Sequence, residues 1–217
     1  MTFHQFFAST KPQSRKTHVL YAKDIDCPVE WAVHLRERIP EELVFEGSDD
    51  LMCIAPPDLR VENLMIYIGG PGTLTPAHSD LCGSIGHNLL VHGEPNAYAL
   101  WAVIRPQDYA AANRFWIEHG DSSKALTLES SFMPLEVLAQ APFPVHIIEQ
   151  RVGDFVLLPG NAPHQVINQG EGMSVKVSWN RSTARSIPRA IREVLPMYRS
   201  VQRSEEYRLK YLGYFGL

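Results

Sequence analysis

Cysteine is scarce in this 217-residue chain: Cys27, Cys53 and Cys82 are odd in number, and no two stand in a CxxC spacing. A disulfide scaffold and a cysteine zinc site are therefore excluded, and a reducing compartment is expected. No uninterrupted apolar run reaches the about 18 residues of a membrane span. The opening MTFHQFFASTKPQSRK lacks the apolar core of a secretory leader. The expectation is a soluble, intracellular protein without membrane contact. Charge of either sign is also in short supply: the net charge is -4, too mild to imply a nucleic-acid surface. One late basic stretch, WNRSTARSIPRAIREVLPMYRSVQR, reads as a solvated helix face, so direct nucleic-acid binding is not expected. Internal repeats and low-complexity tracts are absent as well.

What the chain does have is apolar residues, 45% of the total, enough for one domain with a substantial core. Residues 1–16 read as a mobile lead-in. THVLYAKD has strand character, and PVEWAVHLRERIP reads as a helix opened by Pro28 and stopped by Pro40. ENLMIYIGG is a buried strand ending in a glycine turn, and AHSD continues extended. NLLVHGEPNAYALWAVI reads as a hairpin about GEPN. A helical insert follows at about 106–141, carrying PQDYAAANRFWIEHG and PLEVLAQA. VHIIEQRV, FVLLPG, HQVINQ and MSVKVSWN then return to strand. Residues 186–217 are helical in composition and broken at Pro196. Short strands at this spacing make a mainly β domain over 17–185, a sandwich or jelly-roll barrel, with a helical C-terminal segment.

The chemistry concentrates in TPAHSD. In a strand, residues i and i+2 face the same way, so His78 and Asp80 present an imidazole and a carboxylate together. His164, which opens a strand after the proline-bracketed turn of LLPGNAPHQV, is the best third ligand. Two histidines and one carboxylate on one side leave metal positions open, the facial arrangement of non-haem Fe(II) oxygenases. An HxD pair alone occurs often by chance, so the third ligand carries much of the weight. His87 and His92 lie nearby in sequence, and His92 is the strongest competitor for a supporting role. The other histidines read as ordinary surface or core residues.

MIYIGGPGTLTPAHSD, HNLLVHGEPNAYALW, GDFVLLPGNAPHQVINQ and VKVSWN together resemble the JmjC-domain oxygenases, and HVLYAKDIDCPVEW resembles the segment that precedes their barrel. The resemblance runs from about Thr17 to Arg181. It implies a double-stranded β-helix, a cupin-like barrel, holding Fe(II) with 2-oxoglutarate and using O2. It implies His78, Asp80 and His164 as metal ligands. Thr75 would bond the distal carboxylate of 2-oxoglutarate, and Asn88 would help to position the cosubstrate. Tyr67 either faces the same pocket or is a core aromatic. Asn96 stands where many members carry the lysine that pairs with 2-oxoglutarate. An asparagine cannot neutralise that charge. Lys176, with Ser178 two residues on, is the expected replacement, and otherwise a lysine snorkelling from an edge strand.

The implied activity is demethylation of methyl-lysine, with a histone H3 tail as the expected protein partner and a nuclear location. Tyr67, Tyr98 and Trp179 are the expected aromatic walls for the methylated side chain. Side-chain hydroxylation with the same cofactors is the alternative reaction. A chromatin scaffold that has lost catalysis is the alternative class, and a metal-bound cupin without 2-oxoglutarate is a further option. The C-terminal segment carries too many apolar residues to stand free. It is expected to pack on its own barrel or to form a homodimer.

Overall fold

The strands predicted from the alternating apolar runs arrange as two antiparallel sheets facing each other. The computed structural model describes residues 5–6, 20–120, 125–129 and 131–216. One sheet has five strands: β1 (Tyr21–Asp26), β2 (Met65–Gly69), β9 (Ser174–Arg181), β4 (Ile85–Gly93) and β7 (Phe155–Leu158), in that spatial order. The other has four: β3 (Leu74–His78), β8 (His164–Gln169), β5 (Tyr98–Ile104) and β6 (Val145–Gln150). From β2 to β5, and again from β6 to β9, successive strands alternate between the sheets, which is the jelly-roll form of a double-stranded β-helix. The mainly β, cupin-like architecture expected from the sequence is the one observed.

That alternation corrects one expectation. NLLVHGEPNAYALWAVI is not a hairpin: β4 pairs with β7 and β9, whereas β5 pairs with β6 and β8. GEPN is a tight turn, with Ala97 N donating to Glu94 O at 3.0 Å. It carries the chain from one sheet to the other. Short-range pattern reads a turn between two apolar strands but not which strands they join.

Each sheet carries core residues on both of its faces. Between them lie Ala99, Trp101, Val103, Val156, Leu158 and Val166. Helix α1 (Val29–Arg38) begins after Pro28 and covers the outside of the five-stranded sheet, where Leu35, Val44, Phe45 and Trp179 pack together. The expected lead-in over 1–16 falls outside the described residues except for Gln5 and Phe6, and Phe6 is buried in this cluster. The helical insert covers the other sheet. Phe115 and Trp116 of α2 (Tyr109–His119), Leu126 of α3 (Ala125–Leu128) and Leu138 of α4 (Leu135–Leu138) pack on Ala102 and Ile104.

The C-terminal residues pack on the end of their own barrel. Helix α5 (Ser186–Arg189), a π-turn (Ala190–Val194) and helix α6 (Leu195–Ser200) run without interruption. Pro196 is therefore not the break expected there. It is the second residue of α6, directly after the π-turn, which is where the regular i to i−4 bonding is already interrupted. The chain leaves the helix after Ser200 and returns as α7 (Leu209–Gly216). Leu195, Tyr198, Tyr207, Leu209 and Leu212 are buried against Cys82 and Ala55, while Tyr214 and Phe215 remain exposed. Among the described residues no helix is long and apolar enough to cross a membrane.

Candidate metal centre

His78 ends β3 and His164 opens β8, and the two are direct partners across that strand pair. Their rings lie 4.3 Å apart, centroid to centroid. Asp80 is not on the strand. It follows two residues later, in extended conformation, at the head of a 3-10 turn over Leu81–Gly83. One donor atom from each of His78, Asp80 and His164 lies within 4.8 Å of the others, the one such group of three among the described residues.

The surroundings prepare these donors. The Nδ1 of His78 lies 2.9 Å from Pro76 O, and the Nδ1 of His164 lies 3.0 Å from Ala162 O. A backbone carbonyl can only accept, so each Nδ1 carries the proton and each Nε2 is left as a lone-pair donor. Burial, and then the neighbouring His78, lower His164 to about 4, so it is neutral and able to coordinate at ordinary pH. Trp101 stacks on the His164 ring at 5.7 Å and fixes its plane. The Asp80 carboxylate rests against Gly86 of β4, and a Cβ there would overlap Asp80 Oδ2. The donor set fits a divalent cation of the iron class, with two imidazoles and one carboxylate on one side and a cavity on the other.

That cavity has a volume of about 390 Å³. Thr75, Asn88, Lys176, Ser178 and Tyr67, all singled out from the sequence, line it beside the three candidate ligands. Thr75 and His78 are three apart and should face opposite ways. A register irregularity between them lets both line the cavity. Lys176 and Ser178 share a face of β9, which runs between β2 and β4. Lys176 is thus on an interior strand and only 3% exposed, which rules out snorkelling from an edge. Its Nζ donates to Asn168 Oδ1 at 2.5 Å, and burial lowers it to about 7. Ser178 donates to His87 O.

Four other expectations fall away from the cavity. Asn96 sits in the turn after β4, exposed and at φ +64, and cannot touch a cosubstrate in the barrel. Tyr98 lies under the Arg151 guanidinium. Trp179 points into the outer core, where it stacks on His87 and donates to Leu43 O. His92 is exposed on β4. His87 does line the cavity but is not in the three-donor group.

Several residues in the cavity wall or directly behind it escaped the sequence reading. Tyr21 of β1 lies 3.4 Å from Thr75 Oγ1, hydroxyl to hydroxyl, with the Asn168 side chain close enough to act on its phenol. Tyr21, Thr75, Asn168 and Lys176 therefore form one connected polar group. Strand alternation could have found Asn168, which shares a face of β8 with His164. Gln150, fully buried, accepts from Trp101 Nε1 at 2.9 Å and donates to Asn88 Oδ1 at 3.1 Å, which joins two cavity walls. At the mouth a bulge in β1, with Asp24 at φ +54, brings both Lys23 and Asp24 to the cavity. Lys23 pairs with Glu129 at 2.8 Å, and Tyr67 donates to Asp24 at 2.6 Å.

The fold and this site define a class, and the sequence comparisons agree with it. The family model described as "JmjC domain, hydroxylase" matches residues 65–179, a little over half of the chain. The chain belongs to the JmjC family, whose members generally use Fe(II) and 2-oxoglutarate. A particular relative, the C-module-binding factor A of Dictyostelium discoideum, is 36% identical over 212 residues. That match covers 97% of this chain and 21% of the relative, so the chain spans about a fifth of the length of that curated protein.

Proposed function

We propose that the chain is an Fe(II)- and 2-oxoglutarate-dependent oxygenase that demethylates methyl-lysine on a chromatin protein, with a histone H3 tail as the leading substrate. The observation that carries this reading is the continuity of one cavity. It joins the His78–Asp80–His164 group to a buried cation and to an acidic mouth.

His78, Asp80 and His164 would hold the iron. When bound, iron with 2-oxoglutarate and O2 supplies oxidation of a C–H bond, the oxoacid leaving as succinate and CO2. The chain's own residues set the conditions. Lys176 is the cation for the far carboxylate of the oxoacid, with the Thr75 and Tyr21 hydroxyls beside it through Asn168. Asn88 offers its amide N–H groups to the cavity because Gln150 occupies its Oδ1. Trp101, Val156, Leu158 and Val166 keep the inner wall apolar and limit water.

The mouth suits a cationic side chain. Asp24, Glu62, Glu129 and Glu206 line it, and Lys23 is committed to Glu129. Tyr67 already donates its hydroxyl hydrogen bond to Asp24, which leaves its lone pairs and ring to meet a substrate. A methylated ammonium has positive charge and no acceptor of its own, so it matches such a wall. Hydroxylation of its methyl group leaves an unstable carbinolamine, which breaks to formaldehyde and the amine.

A second reading, protein side-chain hydroxylation, is favoured by one observation. Asn180 is a lining residue whose side-chain Nδ2 is buried and without a partner, a donor suited to a substrate carbonyl once one is bound. The buried Lys176 argues against a scaffold that has lost its cosubstrate, since a lysine in a barrel wall is costly without a ligand to meet it. The Dictyostelium relative is named as a binding factor, which is in keeping with a macromolecular partner, and a nuclear location follows only from the proposed chromatin substrate. The test is incubation with Fe(II), 2-oxoglutarate and methylated H3 peptides. Succinate with formaldehyde is the expected result. A stable gain of one oxygen by the peptide would select hydroxylation, and failure to bind metal or to form succinate would reject both.

A further inference from the structure

The three candidate ligands are not held equally. His78 and His164 sit on paired strands, so the sheet fixes both. Asp80 sits on the connection between β3 and β4, outside either sheet. Something else must hold that connection. The side toward β4 is the contact with Gly86. The other side is the C-terminal segment, which lies outside residues 65–179 of the family match.

We propose that Tyr198 is a positioning residue for the metal centre, clasping the Asp80 turn so that metal affinity and docking of the C-terminal segment are coupled. This rests on the metal-centre reading above. The backbone N–H of Cys82 donates to Tyr198 Oη at 2.8 Å, with both residues buried. Cys82 has φ +56, which a side chain adopts only when its surroundings impose it. The surroundings do so. The Cys82 thiol meets backbone groups of Glu206 and Tyr207, and Cys82 is fully buried among Ile187, Val194 and Leu212. At the next residue, φ is +64 and a Cβ would stand 3.0 Å from Val194 Cγ2, so Gly83 alone lets the π-turn come this close. The π-turn itself, a rare element often found at functional sites, carries Ala190 and Val194 onto that glycine. The same segment reaches the cavity directly. Arg203, Glu206 and Tyr207 line it, and Tyr207 donates to Asn180 Oδ1.

The coupling runs both ways, because linkage between two binding equilibria is reciprocal. Loosening the segment frees Asp80, and a bound ion should tighten the segment. Tyr198→Phe keeps the ring in the core but leaves the Cys82 N–H buried without an acceptor. The experiment titrates Co(II) into the metal-free chain and follows the d–d spectrum, with hydrogen exchange over residues 186–216 measured with and without the ion. Ser200→Ala, on the exposed end of α6, is the control. Tyr198→Phe should weaken Co(II) by about tenfold, the loss of one buried hydrogen bond, while Ser200→Ala leaves it unchanged. Co(II) should slow exchange in the wild-type segment. A folded Tyr198→Phe chain with wild-type affinity overturns the clasp. Should Tyr198→Phe fail to fold, wild-type exchange that is indifferent to Co(II) overturns it instead. A wild type that binds no ion at all overturns the metal centre, and the clasp with it.

Discussion

Lys176→Met should make the metal-free protein more stable at mildly acidic pH while abolishing its hold on 2-oxoglutarate. The ammonium lies in the barrel wall, 3% exposed, with one neutral acceptor, Asn168 Oδ1. Burial lowers its pKa from 10.5 to about 7. At about 1.4 kcal/mol per pH unit, the folded state disfavours the charged form by about 4–5 kcal/mol. Between about pH 7 and 10.5 the unfolded chain binds a proton that the folded chain does not. The contribution of this residue to stability therefore rises with pH across that window, and its penalty is complete below pH 7. Methionine matches the apolar stem and removes the charge, at the loss of a hydrogen bond worth about 1.5–3 kcal/mol. The net gain near pH 6 should be about 2–3 kcal/mol, shrinking to nothing by pH 9. Chemical denaturation of both chains at the two pH values reads it directly.

The same arithmetic predicts how the wild type binds. An oxoacid dianion needs the ammonium, so above about pH 7 binding must take up a proton. Affinity should then fall by up to tenfold per pH unit. Calorimetry with Mn(II) and 2-oxoglutarate, in buffers of different ionisation enthalpy, counts that proton. Lys176→Met should bind the oxoacid at least 100-fold more weakly, roughly the 3 kcal/mol and more of an unpaired buried carboxylate. The reasoning is refuted if Lys176→Met is less stable than wild type at pH 6, or if it keeps wild-type affinity for the oxoacid.

Other substitutions test the remaining walls. Gly86→Ala should push the Asp80 carboxylate aside and weaken Co(II) by at least about tenfold, without a matching loss of stability, since the overlap is with a side chain. Gln150→Leu should cost about 2–4 kcal/mol in denaturant unfolding, because Trp101 Nε1 and Asn88 Oδ1 both lose a buried partner. Acidification should release metal and destabilise the metal-free fold together. Burial holds His87 and His164 neutral down to about 4, and the unfolded chain takes up protons from about pH 6.5. Stability should therefore fall as pH drops from about 6.5 to 4, read as a falling melting temperature. Asp24→Asn should raise the KM for a methylated peptide while leaving oxoacid turnover without peptide intact, since Asp24 lines only the mouth.

What could be read from the chain alone follows a physical division. Strand periodicity and turn residues are local, and they placed most strands and the helical insert. The same-face rule also brought Lys176 and Ser178 to one side of β9. What failed was long-range. Whether β4 pairs with β5 depends on sheet twist and packing, not on GEPN, and the jelly roll separates them. Trp179 is an expected pocket wall by residue type alone, yet alternation with Ser178 sends it into the outer core, where His87 and Phe155 stack on it. Irregularity hid the rest. Lys23 and Asp24 reach the cavity only through the β1 bulge, and no residue pattern announces that Asp24 will sit at φ +54.

The displaced cation shows why position along the chain is a poor guide to position in a barrel. A basic residue at Asn96 would lie in the exposed turn after β4 in this chain. Lys176 instead lies on β9, directly across from Leu90 of β4 and Tyr67 of β2. It reaches the same polar group as Thr75 through Asn168 and Tyr21. A carboxylate in the barrel requires a cation at one point in space, and two strands facing that point can each supply it. If that argument holds, Asn96→Lys in the Lys176→Met background should not restore oxoacid binding, because the turn directs its new charge into solvent. Restoration by that second substitution would mean that the turn can fold inward, and Lys176 would lose its claim to be the anchor.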